Sequence, residues 1–472
     1  MRNHSLVAID VMDQWKAEFG DVYGYFVGMK PYVVVGDLDM VQQVLIRDFH
    51  KFVNRPAMGI EIRPVINTLV GLRSHRWKEV RRVISPTFST RKMRQINSII
   101  NRCVDILVEV VGKHAEAQNE IDFYGVFQGL TCQVIGECAL NTKVDCQRQP
   151  QDEFLNSLRQ FLKQANNPII DLAIYFPLVR EILAVVCRVA SPCGQFTQSI
   201  IDKVQGVINQ RREDRLTGTS TPNHGDILQL LMEASENRQE DADETDGRVR
   251  PTHQLLTDDE IIANAWVFLL GGFETTANAL TYCVYLLATH ADVQEKLYEE
   301  LRDYLGESSG DLETDYNTIS QLPYLDKVFC EALRLFPPVV LFVTREAAED
   351  AQLGDFHIPA GTNVQIPIWQ IHHDPKLWPD PYRFDPERFE PELKKNRHPM
   401  AWIPFGSGPR ACLGIRFAML EAKIALAKLL MNYRLVPCER TEEKLTLSVP
   451  TVTLNPKAGV WLKAEKRELT SA

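Results

Sequence analysis

The ten residues Phe405-Gly406-Ser407-Gly408-Pro409-Arg410-Ala411-Cys412-Leu413-Gly414 carry the strongest structural signal in this chain. They set one cysteine among closely spaced glycines, where a polar loop gives way to an apolar helix predicted to run toward Leu430. The free N–H groups and the dipole at a helix start stabilise an anion, so Cys412 is predicted to be held as a thiolate. Glycines lack a Cβ and let the backbone approach a flat group closely. A thiolate in such a loop suits a haem iron.

This decapeptide resembles the haem-binding loop of the cytochrome P450 family, F-x-x-G-x-R-x-C-x-G. The positions that match are Phe405, Gly408, Arg410, Cys412 and Gly414. The competing interpretation is an unreactive buried cysteine beside a glycine-rich turn, and agreement at so many positions makes it much the weaker one. The resemblance implies a haem b whose iron is bound by Cys412, and it assigns cofactor binding to Phe405, Gly406 and Gly414 of the same loop.

The same resemblance predicts the fold. It implies a mainly α cytochrome P450 fold, with the haem between a long central helix and the helix that follows the cysteine loop. A length of 472 residues would by itself suggest about three domains. Because motifs along the whole chain must converge on one cofactor, residues 1–472 are instead predicted to form a single catalytic domain. Its small β-rich part is expected near residues 20–70 and 340–370.

Periodicity predicts most of the secondary structure. Alternating residues predict strands at Val22–Val27 and Tyr32–Val35, joined by a turn at Gly28–Pro31 and followed by a helix from Asp39. Apolar residues at helical spacing predict a further set of helices, at Ile99–Ala117, Phe127–Leu140, Glu153–Leu162 and Phe196–Arg212. The acidic, polar stretch from Glu233 to Arg250 is expected to form a mobile loop.

A long helix is predicted to begin after Thr257 and to run to Thr289. Thr257 and Glu260 have the spacing of a capping box, in which each side chain accepts a hydrogen bond from the other's backbone N–H. The helix is apolar almost all round, but polar residues such as Asn264 and Glu274 make a membrane-spanning interpretation unfavourable. It is therefore predicted to be buried in the protein.

The middle of this helix, Gly271-Gly272-Phe273-Glu274-Thr275-Thr276, resembles the oxygen-activating motif of the family, A/G-G-x-D/E-T-T. The glycines are expected to let the helix approach the haem. The resemblance implies catalytic roles for Thr275, whose hydroxyl can hold dioxygen or a water, and for Glu274, which feeds protons toward that water. The alternative is a threonine that only bonds back to its own helix, which is common in helices.

Two further resemblances concern the scaffold and the haem propionates. Glu331 and Arg334 match the family's E-x-x-R, and Arg388 matches the arginine that completes a buried structural triad with them. Haem carries two propionate groups, and these carboxylates bind to cationic side chains and N–H donors. The resemblance assigns cofactor binding to Trp77, Arg81, Arg345 and Arg410, with Arg55 as a weaker candidate.

The substrate pocket is expected to be apolar and to accept a lipophilic molecule. It should be lined by the segment after Pro56, by the central helix and by the segment after Pro338. The residues assigned to it are Asn264, Phe268, Leu269, Gly271, Val340, Leu341 and Phe342.

Charge and apolar patches predict the partners. The net charge of −10 argues against a nucleic-acid partner, yet residues 73–94 are strongly basic. A solvated helix face would explain them; the resemblance implies a docking surface for NADPH-cytochrome P450 reductase and possible binding of cytochrome b5. The apolar stretch Pro168–Ala190 is interrupted by charges, so we expect it to contact a membrane interface or to form an ordinary core helix.

The cysteines and the resemblance together predict the location. Ten cysteines without C-x-x-C pairs indicate reduced thiols. The resemblance implies the cytosolic face of the endoplasmic reticulum. The anchor that animal microsomal members carry is missing from this chain, as it would be in an incomplete gene model or a soluble variant.

Three functions compete within this framework. Long stretches resemble the animal drug- and steroid-metabolising branch and thromboxane synthase, so the reaction is either monooxygenation with NADPH-derived electrons or isomerisation of a prostaglandin endoperoxide. The typical thromboxane enzyme lacks the threonine of the oxygen motif, whereas this chain keeps Glu274 and Thr275. An isomerase has no use for a proton relay, so monooxygenation is favoured. A protein that only binds haem and a lipophile would require a defect in these residues, and the motifs contain none.

Overall fold

The computed structural model describes residues 6–56, 65–142, 144–164, 172–173, 176, 179–218, 226–236, 256–306, 316–450 and 452–467. The protein has a mainly α fold with small β-sheets. Its helices are α1 (Leu6–Phe19), α2 (Leu38–Gln42), α3 (Ser74–Ile84), α4 (Thr90–Glu116), α5 (Phe123–Leu140), α6 (Glu153–Gln164), α7 (Arg180–Ala190), α8 (Pro192–Leu216), α9 (Ile227–Glu236), α10 (Asp258–Thr289), α11 (Ala291–Leu305), α12 (Tyr316–Ser320), α13 (Pro323–Leu335), α14 (Ile368–His372), α15 (Pro391–Asn396) and α16 (Ile415–Asn432). Within these ranges, no helix is both long enough and apolar enough to cross a bilayer.

The predicted helices are present, with longer bounds than periodicity indicated. Helix α4 begins at Thr90 and not at Ile99. Exposed basic residues dominate its first turns, so the spacing of apolar residues did not indicate a helix there. Met93 and Ile96 are nevertheless buried in these turns. Much of the acidic stretch Glu233–Arg250 lies outside the described residues, as does part of Pro168–Ala190.

The central helix α10 begins as its sequence predicts. The Thr257 hydroxyl accepts a hydrogen bond from the Glu260 N–H at 3.2 Å, and the Glu260 carboxylate accepts one from the Thr257 N–H at 2.9 Å. The capping box is therefore confirmed. The helix packs along α5 at Gly272, where an added Cβ would lie 2.9 Å from Ile135 Cδ1. This close approach places α10 deep in the core.

The described residues also form four small sheets of short strands. The strands are β1 (Val22–Val27), β2 (Lys30–Val35), β3 (Ile121–Asp122), β4 (Thr344–Glu346), β5 (Ala351–Leu353), β6 (Phe356–Ile358), β7 (Asn363–Gln365), β8 (Tyr433–Pro437), β9 (Leu447–Ser448), β10 (Asn455–Pro456) and β11 (Trp461–Lys466). The largest sheet has the order β1-β2-β7-β4, in which β2 and β7 are parallel. It thus joins the N-terminal part of the chain to the segment that follows α13. The strand predicted from Tyr32 starts at Lys30, because the hairpin turn is shorter than expected.

Candidate active site

The cysteine loop is held by backbone hydrogen bonds just before α16. The N–H of Cys412 donates to the carbonyl of Phe405 at 2.9 Å, and Gly414 is the residue that precedes the first turn of the helix. Two glycines in the loop, Gly406 and Gly408, have φ of +69° and +72°, in the left-handed region that favours glycine. Cys412 therefore lies just before the start of α16, as the sequence predicts.

Gly408 contacts protein, a role that the expected approach of the loop glycines to a flat group did not include. A Cβ on Gly408 would lie 1.9 Å from the carbonyl oxygen of Leu45. Leu45 belongs to the π-helical turn Gln43–Arg47 that follows α2. Gly408 is therefore required for the loop to rest on this turn. At Gly406 the nearest atom would be Val343 Cγ2, at 3.7 Å, which is an ordinary van der Waals contact without a clash.

The sulfur of Cys412 lies in a mixed electrostatic setting. Cys412 as a residue is exposed to solvent, yet protein surrounds its sulfur closely enough that burial raises the pKa of the thiol. The Gly414 N–H and the positive charges of Arg81 and Arg55 act in the opposite direction and lower this pKa. Coordination to a metal deprotonates a thiol outright. An iron ion would therefore stabilise the thiolate in the same direction as the two arginines and the Gly414 N–H.

Arginines from distant parts of the chain meet beside the loop. Arg81 donates to the carbonyl of Ala411 at 2.9 Å. Arg410 donates to the carbonyl of Leu72 at 2.7 Å, and its guanidinium lies 4.3 Å from the centre of the Trp77 ring. The four residues expected to bind the propionates include Arg345, which is buried and donates to the carbonyl of Thr344 at 3.0 Å.

Arg55 joins this group more firmly than its sequence suggested. Its guanidinium lies 4.1 Å from the centre of the Phe342 ring. Burial and the neighbouring Arg345 and Arg81 hold its pKa well below the ordinary value of an arginine. In the sequence, Asn54-Arg55 was only a weak signal, because a single arginine after a short apolar run is common on protein surfaces.

The arginine cluster requires anions. Burial lowers the pKa of Arg345 to about 9, helped by Arg410, and lowers that of Arg410 to about 9, helped by Arg55, Arg81 and Arg73. The Nε atoms of Arg55, Arg345 and Arg410 are buried without a hydrogen-bond partner among the described residues. Buried donors and buried like charges are unfavourable unless an acceptor of opposite charge is supplied. The two carboxylates of a haem fit this requirement.

The E-x-x-R motif forms a buried ion pair at the base of the loop. Arg334 Nε lies 2.6 Å from Glu331 Oε2, and both side chains are fully buried. Arg388 Nε lies 3.4 Å from Glu331 Oε1, although the geometry is not that of a hydrogen bond. Burial raises the pKa of Glu331, and the hydrogen bond and charge of Arg334 lower it. The structure thus brings the three predicted triad residues together.

His372 links this triad to the cysteine loop, a role that sequence reasoning missed. Its carbonyl accepts a hydrogen bond from Arg334 at 2.8 Å, and its ring Nε2 accepts one from the N–H of Ile403 at 3.0 Å. Ile403 in turn accepts from the N–H of Gly406 at 2.9 Å. The pair His372-His373 is visible in the sequence, but nothing local shows that one ring faces the loop.

On α10 the two glycines of the oxygen motif have different surroundings. Gly271 is exposed with open space around it, whereas Gly272 packs against Ile135 of α5. The expectation that both glycines face the haem is therefore corrected for Gly272. Thr275 lies one turn after Gly271 on the same face, and its hydroxyl donates to the Gly271 carbonyl at 2.6 Å. This is the bond to its own helix that the alternative interpretation describes.

Glu274 points to the opposite side, into a polar network between α10, α5 and β10. Its carboxylate accepts hydrogen bonds from Tyr124 Oη at 2.5 Å, Gln128 Nε2 at 3.1 Å and Asn455 Nδ2 at 2.9 Å. Burial raises its pKa, and these hydrogen bonds, together with the charge of Arg159, lower it. Tyr124, Gln128 and Asn455 lack a sequence signal, because each is remote from the motif in the chain.

The accessible face of α10 connects to the cysteine loop through Phe88. Its ring centre lies 5.3 Å from that of Phe268, and its Cε1 atom would lie 4.0 Å from a Cβ on Gly414. Phe268, Gly271 and Thr275 recur at helical spacing on this face. The half-buried Leu341 and Phe342 lie on the segment after α13.

Three residues assigned to the pocket lie in the interior instead. Asn264 is buried and its amide accepts from the Leu69 N–H at 2.8 Å and donates to the Glu260 carbonyl at 2.7 Å. Leu269 and Val340 are buried in the core. The pocket expectation is therefore not supported at these positions, since helical periodicity cannot distinguish a cavity from a neighbouring helix. The segment after Pro56, residues 57–64, lies outside the described residues.

Comparisons with known proteins agree with this geometry. The family model described as Cytochrome P450 matches residues 7–462. The chain is 34% identical to Thromboxane-A synthase of Sus scrofa over 470 residues, which covers 96% of this chain and 87% of that protein. It is 33% identical to Thromboxane-A synthase of Mus musculus, with coverage of 96% and 87%. It is 31% identical to Cytochrome P450 3A29 of Sus scrofa, with coverage of 96% and 86%.

Proposed function

Because this chain belongs to the cytochrome P450 family, we propose that it is a monooxygenase that inserts one oxygen atom of O2 into a lipophilic substrate. Electrons reach it from NADPH through a reductase. The observation that carries this proposal is the pair of oxygen-motif residues: Thr275 on the accessible face of α10 and the buried Glu274 beside it. Oxygen insertion consumes protons, and an endoperoxide isomerase does not need them.

The haem b of this family, bound through a cysteine thiolate, supplies the activation of O2. In this chain Cys412 would bind its iron. The arginines Arg55, Arg81, Arg345 and Arg410 would bind the propionates, since their guanidinium groups gather where a pair of carboxylates is needed. Trp77 would contribute its indole N–H. The triad of Glu331, Arg334 and Arg388 holds the scaffold through His372.

Thr275 and Glu274 would handle protons. The Thr275 hydroxyl directs its own proton to the Gly271 carbonyl, so the oxygen lone pairs remain available to accept a hydrogen bond from water. Burial raises the pKa of Glu274, which makes this carboxylate a better proton acceptor than an exposed glutamate. The apolar side chains of Phe268, Leu341 and Phe342 would contact a lipophilic substrate.

A second candidate is an isomerase of prostaglandin endoperoxides. Several of the relatives bear the name Thromboxane-A synthase, at 32–34% identity. Such a reaction would use the same haem and thiolate but neither O2 nor a reductase. It would leave Thr275 and Glu274 without a chemical role.

One experiment separates the two. Prostaglandin endoperoxide is added to the haem-loaded protein under argon, without NADPH or reductase, and the products are followed by mass spectrometry. We expect no turnover in a protein whose reduced, CO-bound spectrum shows an intact thiolate ligand. Rapid rearrangement to thromboxane-type products would overturn the monooxygenase proposal. A screen of lipophilic substrates with reductase, NADPH and O2 would then test for incorporation of oxygen from labelled O2.

We also propose that the reductase docks on a basic surface formed by α3 and the start of α4. Part of the basic run is engaged internally, because Arg73 pairs with Glu346, Arg76 with Glu260 and Arg81 with the loop. The exposed basic residues of this surface include Lys78, Arg82, Arg91 and Arg94, and Arg94 also donates a hydrogen bond to Asn317 Oδ1 at 3.0 Å. They would attract an acidic partner, either the reductase or cytochrome b5.

A membrane contact is proposed for α7, in keeping with a location at the cytosolic face of the endoplasmic reticulum. Ile182, Val185 and Val189 follow one face of this helix and are 67%, 64% and 68% exposed. Phe176 and Val179, just before it, are also exposed. An apolar helix face of this kind is favourable against the acyl chains of a bilayer surface.

A further inference from the structure

Two cysteines outside the active site have their sulfur atoms almost in bonding contact. Cys132 Sγ on α5 lies 3.1 Å from Cys146 Sγ on the irregular segment between α5 and α6. This is shorter than the separation of about 3.5–4.0 Å at which non-bonded heavy atoms pack best. A disulfide needs a distance of about 2.05 Å, so the sulfurs must approach by roughly 1 Å. A small rotation of either side chain supplies that movement.

The backbones around the pair are packed closely, which explains why the sulfurs meet. A Cβ on Gly129, one turn before Cys132, would lie 3.1 Å from the carbonyl oxygen of Cys146. Gln147 Nε2 donates to the carbonyl of Cys103 at 2.8 Å and to Gln133 Oε1 at 3.1 Å. The segment is thus seated on α5 by contacts on both sides of the pair.

We propose that Cys132 and Cys146 form a redox-responsive pair that peroxide converts to an intramolecular disulfide. The sulfur of Cys146 attacks hydrogen peroxide, the O–O bond breaks, and a sulfenic acid and one water form. The sulfur of Cys132 then attacks the sulfenic sulfur, the S–O bond breaks, and a second water leaves as the S–S bond forms. Both thiol protons end in the waters, the two thiols lose two electrons, and one peroxide is reduced.

The surroundings indicate that Cys146 reacts first. Its sulfur lies 3.6 Å from Asp152 Oδ1, a carboxylate that can accept the thiol proton. Both cysteines are buried, so peroxide must enter through a local opening. An irregular segment opens at a lower free energy than the middle of a helix, and Cys146 lies on the former. Burial also raises the pKa of Cys132, which suits a resolving thiol better than an attacking one.

The disulfide would join the segment that precedes α6 to α5. Asp152 Oδ1 accepts hydrogen bonds from the N–H groups of Phe154 and Leu155, at 2.8 and 3.1 Å. In the same region, Arg159 of α6 donates to the carbonyl of Pro150 at 3.1 Å and to Gln128 Oε1 at 2.8 Å. We therefore expect the oxidised pair to hold the segment closed, and trypsin to cut the native protein after Arg148 more slowly.

The test uses the complete haem-loaded protein. It is treated with hydrogen peroxide, the peroxide is removed, the protein is denatured in the presence of N-ethylmaleimide so that every remaining free thiol is blocked, and a tryptic digest without reductant is examined by mass spectrometry. Trypsin separates the two cysteines, because it releases residues 114–143 and 144–148 as different peptides. The expected product is these two peptides joined by a disulfide, absent before peroxide and lost after dithiothreitol.

Cys138 provides a matched control, since it is buried on the same helix and lies in the same peptide as Cys132. The cross-link should persist in Cys138→Ala and disappear in Cys132→Ala and in Cys146→Ala. If a buried variant fails to fold, fragmentation of the wild-type product still locates the bridge. A bridge to Cys138, or oxidation of other cysteines while Cys132 and Cys146 stay alkylated, would overturn the proposal.

Discussion

At the scale of single residues, a comparison of Gly408 with Gly406 distinguishes the free-energy cost of backbone strain from that of a steric clash. Both have φ near +70°, where a residue with a Cβ is strained by about 1–2 kcal/mol. Only at Gly408 would the new Cβ also meet a backbone oxygen, Leu45 O at 1.9 Å. A backbone atom within a helical turn cannot move aside cheaply.

We therefore expect Gly408→Ala to reduce both stability and haem content, and Gly406→Ala to lower stability by only about 1 kcal/mol. Chemical denaturation and the haem-to-protein absorbance ratio measure the two effects. Equal losses in the two variants would show that the contact with the turn Gln43–Arg47 does not matter.

His373 provides a pH-dependent contribution to stability. It stacks between Trp369 and Tyr382, and burial lowers its pKa to about 4 from 6.5. As the pH falls, the unfolded chain takes up this proton first, near pH 6.5, and the folded protein only near 4. Stability that is present above pH 6.5 is therefore lost between about 6.5 and 4, by about 3 kcal/mol in total.

The measurement is the free energy of unfolding between pH 7 and 4, compared with that of His373→Gln. The variant should be less stable at pH 7, and its free energy of unfolding should fall less steeply with pH because the contribution of His373 is gone. Some decline should remain, since His372 is also buried and is present in both proteins. Parallel declines would exclude His373 as a source of the pH dependence.

Thr275 tests the proposed chemistry at a single hydroxyl. Thr275→Ala should retain substrate binding and the thiolate spectrum but lose product formation by at least tenfold, with electrons diverted to hydrogen peroxide. Thr275→Ser keeps the hydroxyl and should restore most of the product yield. The ratio of product to NADPH consumed measures the effect, and an unchanged ratio in the alanine variant would remove the main support for proton handling by α10.

At the scale of elements, the contact between α5 and α10 depends on one of two adjacent glycines. Alanine at Gly272 would press on Ile135, whose Cδ1 and Cγ1 atoms would lie 2.9 and 3.0 Å away. Ile135 is β-branched and adapts poorly. Alanine at Gly271 would meet no protein atom within 4 Å.

We expect Gly272→Ala to destabilise the protein by about 1 kcal/mol, since overpacking outweighs the gain in helix propensity. Gly271→Ala should be neutral or stabilising by up to about 1 kcal/mol. Thermal unfolding followed by circular dichroism gives both values. A reversed order would mean that α10 is not held against α5 at this point.

At the scale of the whole molecule, the exposed face of α7 determines how the protein would lie on a membrane. The triple variant Ile182→Glu, Val185→Glu, Val189→Glu should lower the partitioning onto phosphatidylcholine vesicles more than tenfold, because it places charge on the apolar face. Leu216→Glu, at an 89% exposed position at the end of α8, is the control and should bind like the wild type. Sedimentation with vesicles measures the bound fraction, and equal loss in both variants would contradict a specific contact through α7.

Local chemistry was sufficient for much of this molecule. The spacing of Thr257 and Glu260 identified the start of α10, and the glycines around Cys412 identified a loop that ends in a helix, because caps and turns depend on neighbours in the chain. Apolar periodicity located the helices because their buried faces repeat within a few residues.

The partners of these residues were decided only by the tertiary structure. That Gly408 rests on Leu45, that Gly272 faces Ile135, that Asn264 holds Leu69 and that Cys132 meets Cys146 all depend on segments remote in the chain. Periodicity shows that a face is buried but not whether a helix, a cavity or a cofactor buries it. Contacts between distant segments arise from the packing of whole elements, so no local pattern encodes them.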